Sequence, residues 1–126
     1  MAKLLEFFFD YGSPYSYLAS TQVEELVRRT GGELRWRPFL LGAVFKTTGN
    51  ISEATTMQKA RYILKDLQDW TRHYDLPDFL IAEGFPCSSS RAERLGLVAD
   101  ENGCLPAFTH ALYREEFVQG RDVAWQ

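Results

Sequence analysis

The most constraining feature of this sequence is a strand, a helix and a second strand that fit within the first forty residues. Residues 4–10, rich in Leu and Phe, have the length and composition of a largely buried strand. Ser13 followed by Pro14 is typical of a helix start, and the glycine pair at 31–32 ends that helix. Residues 33–39 alternate apolar with charged side chains in a second strand. A single helix with short links on either side predicts a crossover connection between two parallel strands, and therefore an α/β fold.

The rest of the chain predicts helices. Residues 56–74 form the most periodic segment, with their apolar side chains on one face. Another helix is predicted from the serines at 88–90 to Gly103, and one more after Pro106. The apolar stripe expected on the first of these two is Ala92, Leu95 and Val98. Because a parallel sheet needs cover on both faces and more than two strands, we expect the sheet to be incomplete in this chain.

Charge and hydropathy exclude several classes of function. Fourteen Lys and Arg against seventeen Asp and Glu give a net charge of -3, which does not favour nucleic acid as a partner. The apolar runs are far shorter than the roughly 20 residues that span a bilayer. Acidic residues interrupt the N-terminal apolar stretch, so no secretory signal is predicted and we expect a cytoplasmic protein. Cys87 and Cys104 lack zinc-ligand spacing, so no metal is expected.

Residues 10–16 are the first place to look for chemistry, since ligands of open α/β sheets bind beyond the carboxyl ends of the strands. The glycines of a dinucleotide or phosphate loop are absent here. Ser13 and Ser16 instead occupy the spacing that thiol redox proteins fill with C-x-x-C. Because serine cannot cycle through a disulfide, dithiol oxidoreductase chemistry is excluded at this turn.

Two roles remain open for Ser13. Its hydroxyl could donate a hydrogen bond to an anion on a ligand, which is worth roughly 1.5 to 3 kcal/mol. A helix N-terminus adds roughly 0.3 to 2 kcal/mol for a negative charge. Together these lower the pKa of a bound thiol by roughly 1.5 to 3 units, enough to ionise it at neutral pH. The alternative is a plain N-cap, and the spacing alone does not separate the two.

Four separated blocks of sequence resemble one family, the 2-hydroxychromene-2-carboxylate isomerases and kappa-class glutathione transferases, a DsbA-like branch of the thioredoxin superfamily. The first block runs from Phe8 through the Ser13 turn to Leu18. The others are Trp36–Lys46 with Gly49 and Asn50, Lys59–Leu67, and Gly120–Val123. The resemblance covers essentially all 126 residues.

The resemblance implies a thioredoxin-like βαβ portion over residues 1–40 and an inserted all-helical domain over 41–126. Members of the family then return to complete the fold with a cis-proline segment, two strands and a final helix. We expect this chain to lack that C-terminal return, which also contributes glutathione contacts in the family. Its absence would explain the incomplete sheet and would weaken activity.

The resemblance also implies a reaction and the residues that carry it. Ser13 would hold the sulfur of glutathione as the catalytic hydroxyl, while Asn50 and Lys59 would bind the tripeptide. By residue type alone, Asn50 is a turn residue and Lys59 belongs to a solvated helix face. The implied function is glutathione-dependent isomerisation of a small aromatic substrate in aromatic catabolism. The alternatives are a kappa-like glutathione transferase and a truncated, non-catalytic remnant that oligomerises, and a homodimer is expected because exposed strand edges invite pairing.

Overall fold

The computed structural model describes residues 1–50 and 56–124 of the chain. Its elements, in chain order, are β1 Leu4–Phe9, α1 Pro14–Thr30, β2 Glu33–Pro38, α2 Leu41–Thr48, α3 Met57–His73, α4 Ser90–Glu101, α5 Leu105–Tyr113 and a π-helix at Arg114–Val118. The α/β class and the positions of β1, α1, β2, α3, α4 and α5 are confirmed. The short helix α2 is an addition that the apolar periodicity did not predict.

The two strands form a parallel pair, as the short crossover predicted. Leu4 lies opposite Glu33 at one end of the ladder, and Phe9 lies opposite Pro38 at the other. The prediction that β1 is largely buried is wrong, however, because only Phe9 is buried and Phe8 remains 57% exposed. The described helices cover one face of this strand and leave Phe8 on the other.

The core is a cluster of aromatic rings at the carboxyl end of β1. Phe9 and Tyr11 pack edge to face with a ring-centroid distance of 5.3 Å, and Tyr11 contacts Tyr113 at 5.5 Å. The cluster extends into the helices through Leu67 of α3 and Phe117 of the π-helix.

The division of the chain into two domains at residue 40 stays a prediction. Across the described ranges, none of the helices is long and apolar enough to cross a membrane.

Helix α4 turns a different face to the core from the one predicted. It buries Ala92, Glu93, Gly96 and Ala99, while Leu95 and Val98 of the predicted stripe are exposed. The physical reason is a close approach, since a Cβ built on Gly96 would lie 2.9 Å from the Tyr11 hydroxyl oxygen. Helix α4 therefore packs its small residues, rather than its leucines, toward the buried ring of Tyr11.

Gly96→Ala is expected to lower the free energy of unfolding by about 1 to 3 kcal/mol, as overpacking does in other cores. Tyr11 is fully buried and cannot swing away without losing the 2.9 Å hydrogen bond that its hydroxyl makes with Thr109. Urea denaturation measures the effect. Gly42→Ala in α2 is the matched control, because nothing lies within 4 Å of its built Cβ. The control should be neutral or stabilising by up to about 1 kcal/mol, and equal losses in both variants would contradict the clash.

Candidate functional site

The turn between β1 and α1 is built on the side chain of Asp10, which is buried at the end of the strand. One carboxylate oxygen of Asp10 accepts the backbone N–H of Gly12 at 2.7 Å. The other accepts the backbone N–H of Leu41, the first residue of α2, also at 2.7 Å. The Ser13 N–H donates to the Asp10 carbonyl at 3.0 Å. A single carboxylate thus fixes the turn and the start of a helix about thirty residues away in sequence.

Gly12 lets this turn lie against the segment that leads into α4. A Cβ built there would be 3.3 Å from an Asp10 carboxylate oxygen, 3.5 Å from Ser89 Cβ and 3.6 Å from the Cys87 carbonyl. A Cβ at position 12 would therefore fill the space between the two segments with ordinary contacts to Ser89 and Cys87, and its tight contact would be with the Asp10 carboxylate.

Ser13 is the N-cap of α1, as its place before Pro14 predicted. Its backbone is extended, and its side-chain oxygen accepts the N–H of Ser16 at 3.2 Å. Because the oxygen accepts in this bond, the hydroxyl proton remains able to point toward a ligand. The first turn of α1 carries no acidic side chain that would neutralise the positive end of the helix.

The other two predicted site residues lie on different elements. Asn50 is exposed and directly follows Gly49, the left-handed residue that ends α2. Lys59 is exposed in the first turn of α3, where its N–H donates to the Thr56 hydroxyl oxygen at 3.2 Å. Residues 51–55, which connect these two positions, are outside the described ranges.

One hydrogen bond ties α3 to the start of α1. The Tyr15 hydroxyl donates to a carboxylate oxygen of Asp66 at 2.8 Å. Lys59 precedes Asp66 by seven residues, and a seven-residue spacing keeps two residues on one helix face, about 10 Å apart. Lys59 therefore lies on the face of α3 that meets the N-terminal end of α1, two helical turns from that contact.

Sequence reasoning missed Glu93, a buried acid beside the turn. Glu93 of α4 accepts the backbone N–H of Tyr11 at 2.6 Å through Oε1. Its other oxygen, Oε2, is buried without a hydrogen-bond partner among the described residues. Burial above all, together with the charge of Asp10, raises the pKa of Glu93 to about 9, although the Tyr11 hydrogen bond opposes the rise. Glu93 is therefore neutral at physiological pH.

Glu116 is a second buried acid, on the π-helix. Its Oε1 accepts a hydrogen bond of 3.5 Å from the Cys87 thiol, and its Oε2 has no partner in the described part of the chain. Burial raises the pKa of Glu116 to about 8, and burial with the charge of Glu116 raises the pKa of Cys87 to about 12. The thiol therefore stays protonated and is a poor nucleophile.

The local sequence carried no usable signal for either acid. Ser90 and Glu93 have the spacing of a capping box, in which the glutamate reaches back to its own helix N-terminus. In the structure the N-cap is Ser89 and the Glu93 carboxyl accepts the backbone N–H of Tyr11, 82 residues away in sequence.

Cys87 and Cys104 form no disulfide, and the described residues contain no group of His, Cys, Asp or Glu that could hold a metal ion.

A family model described as a DSBA-like thioredoxin domain matches residues 4–126. Two curated relatives are a 2-hydroxychromene-2-carboxylate isomerase from Sphingobium xenophagum, 33% identical over 90 residues, and glutathione S-transferase kappa 1 from Caenorhabditis elegans, 36% identical over 80. These alignments cover 70% and 61% of this chain, but 46% and 35% of the relatives. The chain thus spans half or less of their length.

A solved structure agrees with these relatives. The structure of a selenomethionine 2-hydroxychromene-2-carboxylate isomerase superposes with a TM-score of 0.81 and 25% identity, covering 94% of this chain and 58% of that one. The arrangement of strands and helices described above is therefore that of a DsbA-like thioredoxin fold. The fold and the family expected from the four blocks of sequence are both confirmed.

Proposed function

This chain belongs to the DSBA-like thioredoxin domain family, and we propose that it binds glutathione at the N-terminal end of α1 and uses it to isomerise a small aromatic substrate of the 2-hydroxychromene-2-carboxylate type. The observation that carries the proposal is the position of Ser13. Its hydroxyl stands at an N-cap whose first turn holds no acid, at the carboxyl end of β1. That place suits an anion, and a serine there can hold a thiolate but cannot form a disulfide.

In this proposal, three residues of the chain each bind a different part of glutathione. Ser13 donates its hydroxyl hydrogen bond to the sulfur anion, and the N-terminal end of α1 stabilises the same charge. Lys59 offers an ammonium suited to a carboxylate of the tripeptide, on the face of α3 that meets the start of α1. Asn50 offers a side-chain amide to the peptide backbone of the ligand. Asp10 fixes the backbone of the turn that carries Ser13, because its two carboxylate oxygens accept the backbone N–H groups of Gly12 and Leu41.

When bound, glutathione would supply a thiolate nucleophile for reversible addition to a conjugated double bond of the substrate. The protein's share is to keep that sulfur ionised at neutral pH. A pKa lowered by roughly 1.5 to 3 units is enough for a thiol that starts near 8.5.

Glutathione at a hundredfold excess over its Kd is expected to stabilise the chain by about 2.7 kcal/mol, and Ser13 variants should lose that effect. Ser13→Ala removes both the hydroxyl and the N-cap, which costs about 1 kcal/mol of stability in its own right. Ser13→Asp keeps a capping oxygen for the Ser16 N–H but repels a thiolate. Thermal unfolding with and without glutathione, and the absorbance of a hydroxychromene carboxylate during turnover, measure the two effects.

The Ser13→Asp variant separates the two roles of this residue. If Ser13 were only a cap, the aspartate variant would keep the glutathione effect and the alanine variant would keep it in weakened form. Isomerisation that persists in both variants would overturn the assignment of Ser13.

A kappa-like transferase is the second candidate, favoured by the 36% identity to glutathione S-transferase kappa 1. The same thiolate would then attack an electrophile irreversibly. Comparing turnover of a halogenated aromatic with turnover of the chromene separates transferase from isomerase.

A non-catalytic role is the third candidate, and the surface of β1 favours it. Leu4 and Phe8 are more than half exposed on this strand, which suits pairing with a second copy. A homodimer in sedimentation experiments combined with no glutathione binding would support it. A monomer that binds glutathione would exclude it.

A further inference from the structure

The proposed function gives no role to Glu93, although this residue touches the turn that carries Ser13. Its Oε1 accepts the Tyr11 N–H at 2.6 Å in the interior of the protein. Tyr11 lies two positions before Ser13, so this contact holds the backbone of the same turn. This hydrogen bond joins two segments that lie 82 residues apart in the sequence.

The carboxyls of Asp10 and Glu93 meet the turn in different ways. Each carboxylate oxygen of Asp10 has a backbone N–H donor, an arrangement that suits a buried negative charge. Glu93 has one such donor and one buried oxygen without a partner in the described residues. A charge on Glu93 would be buried half-satisfied next to the Asp10 carboxylate, so this packing requires that Glu93 carry a proton.

The groups that face Glu93 strengthen this requirement. Asp10 and Tyr11 face it from the turn, Tyr113 from α5 and Glu116 from the π-helix. The two acids add negative charge and the two phenols are neutral at physiological pH, since burial raises the pKa of both tyrosines. None of these four groups supplies the positive charge that an ionised Glu93 would need.

A cavity of about 280 Å³ borders the Glu93 side chain. Glu93 lines it together with Phe39 and Leu40 after β2, and with Ser90 and Arg94 of α4. Arg94 is the cationic group on this wall, and burial nevertheless outweighs every charge in setting the state of Glu93.

We propose that Glu93 is a positioning residue for the Ser13 turn: its protonated carboxyl accepts the Tyr11 N–H without adding a negative charge to the turn, and its ionisation weakens the anion site at Ser13. The second half of this inference rests on the proposed function, because the anion concerned is the glutathione sulfur. The first half concerns the turn alone and can be measured without any ligand.

The ligand-free test follows the backbone amide of Tyr11 by NMR in a pH titration. In the wild type its chemical shift should move with a midpoint near pH 9, where Glu93 loses its proton. In Glu93→Gln, which keeps an oxygen acceptor, the shift should not titrate in that range. Glu101→Gln, an exposed acid at the end of the same helix, is the control and should titrate like the wild type. A wild-type midpoint near pH 4.5, or an unchanged midpoint in Glu93→Gln, overturns the inference.

The ligand-dependent test measures the affinity for glutathione sulfonate, whose sulfur group stays anionic throughout the range. Between pH 7.5 and 9.5 the wild type should lose affinity about fivefold more than Glu93→Gln does, because only the wild type gains a buried charge near the anion. Using the ratio of the two proteins removes the titration of the ligand's own amine. Equal losses in both overturn the effect on the anion site.

The two tests keep the inference and the proposed function apart. If glutathione sulfonate binds neither protein at any pH, the proposed function fails, and the Tyr11 titration still decides whether Glu93 holds the turn. If the ligand binds but Tyr11 does not titrate near pH 9, the function stands and the role of Glu93 is rejected.

Discussion

Replacing Phe117 by alanine is expected to lower the free energy of unfolding by about 3 to 5 kcal/mol, the largest effect of any single change considered for this chain. Phe117 has 0% exposure and its ring stacks on Phe79 at a centroid distance of 5.3 Å. It also contacts Tyr17 at 5.5 Å and Tyr113 at 6.0 Å. The alanine variant leaves a cavity lined by rings from α1, from α5 and from the segment between α3 and α4, and rigid rings collapse into such a space poorly.

Urea denaturation of Phe117→Ala and Phe8→Ala tests this expectation on one residue type. Phe8 is 57% exposed on β1, so its loss should cost less than about 1 kcal/mol. A difference of less than about 1 kcal/mol between the two variants would mean that the core is not organised around Phe117. An unchanged m-value in both is needed for the comparison to hold.

The second large effect is a dependence of stability on alkaline pH that Glu116→Gln reduces. In the folded protein the pKa of Glu116 is raised from 4.5 to about 8 by burial, so the folded state holds a proton that the unfolded chain has already released. Stability therefore falls as the pH rises from about 4.5 through 8 and is highest on the acidic side. At pH 9 the glutamine variant, which has no proton to lose, should exceed the wild type by about 2 kcal/mol.

Glu115→Gln is the control for this prediction, since Glu115 is the neighbouring residue and forms an exposed ion pair with Arg121. Melting temperatures between pH 5 and 9 should fall in the wild type and in the control, and should fall less in Glu116→Gln. The Cys87 thiol that donates to Glu116 keeps its acceptor in the amide, so the variant should fold. Parallel curves for all three proteins would mean that Glu116 is ionised in the folded state.

The parts of the fold that could be predicted are those that nearby residues determine. The N-cap at Ser13 and the left-handed Gly31 fix both ends of α1, and each acts within a few residues of itself. Helix α3 was predictable because its apolar side chains repeat over 17 residues. The place of Ser13 at the carboxyl end of β1 follows from the same local signals.

The parts that could not be predicted depend on contacts between distant segments. Helix α2 has no side-chain cap of its own, because Asp10 accepts the N–H of Leu41 across 31 positions of sequence. The buried face of α4 is set by the ring of Tyr11, which selects Gly96 over the larger Leu95. Glu93 looks like any solvent-exposed helix acid until the fold brings it to Tyr11.

The turn that carries Ser13 has a consequence for how such proteins can change their chemistry. Its backbone is anchored by the Asp10 carboxylate, the Glu93 carboxyl and the Tyr113 hydroxyl, which donates to the Asp10 carbonyl at 2.9 Å. None of these anchors uses the side chain at position 13. The atom presented to a ligand there, oxygen or sulfur, can thus be exchanged during evolution with little disturbance of the surrounding scaffold. The same backbone can therefore hold a serine that hydrogen-bonds the thiolate of a ligand in one protein, and a cysteine that supplies its own thiol in another.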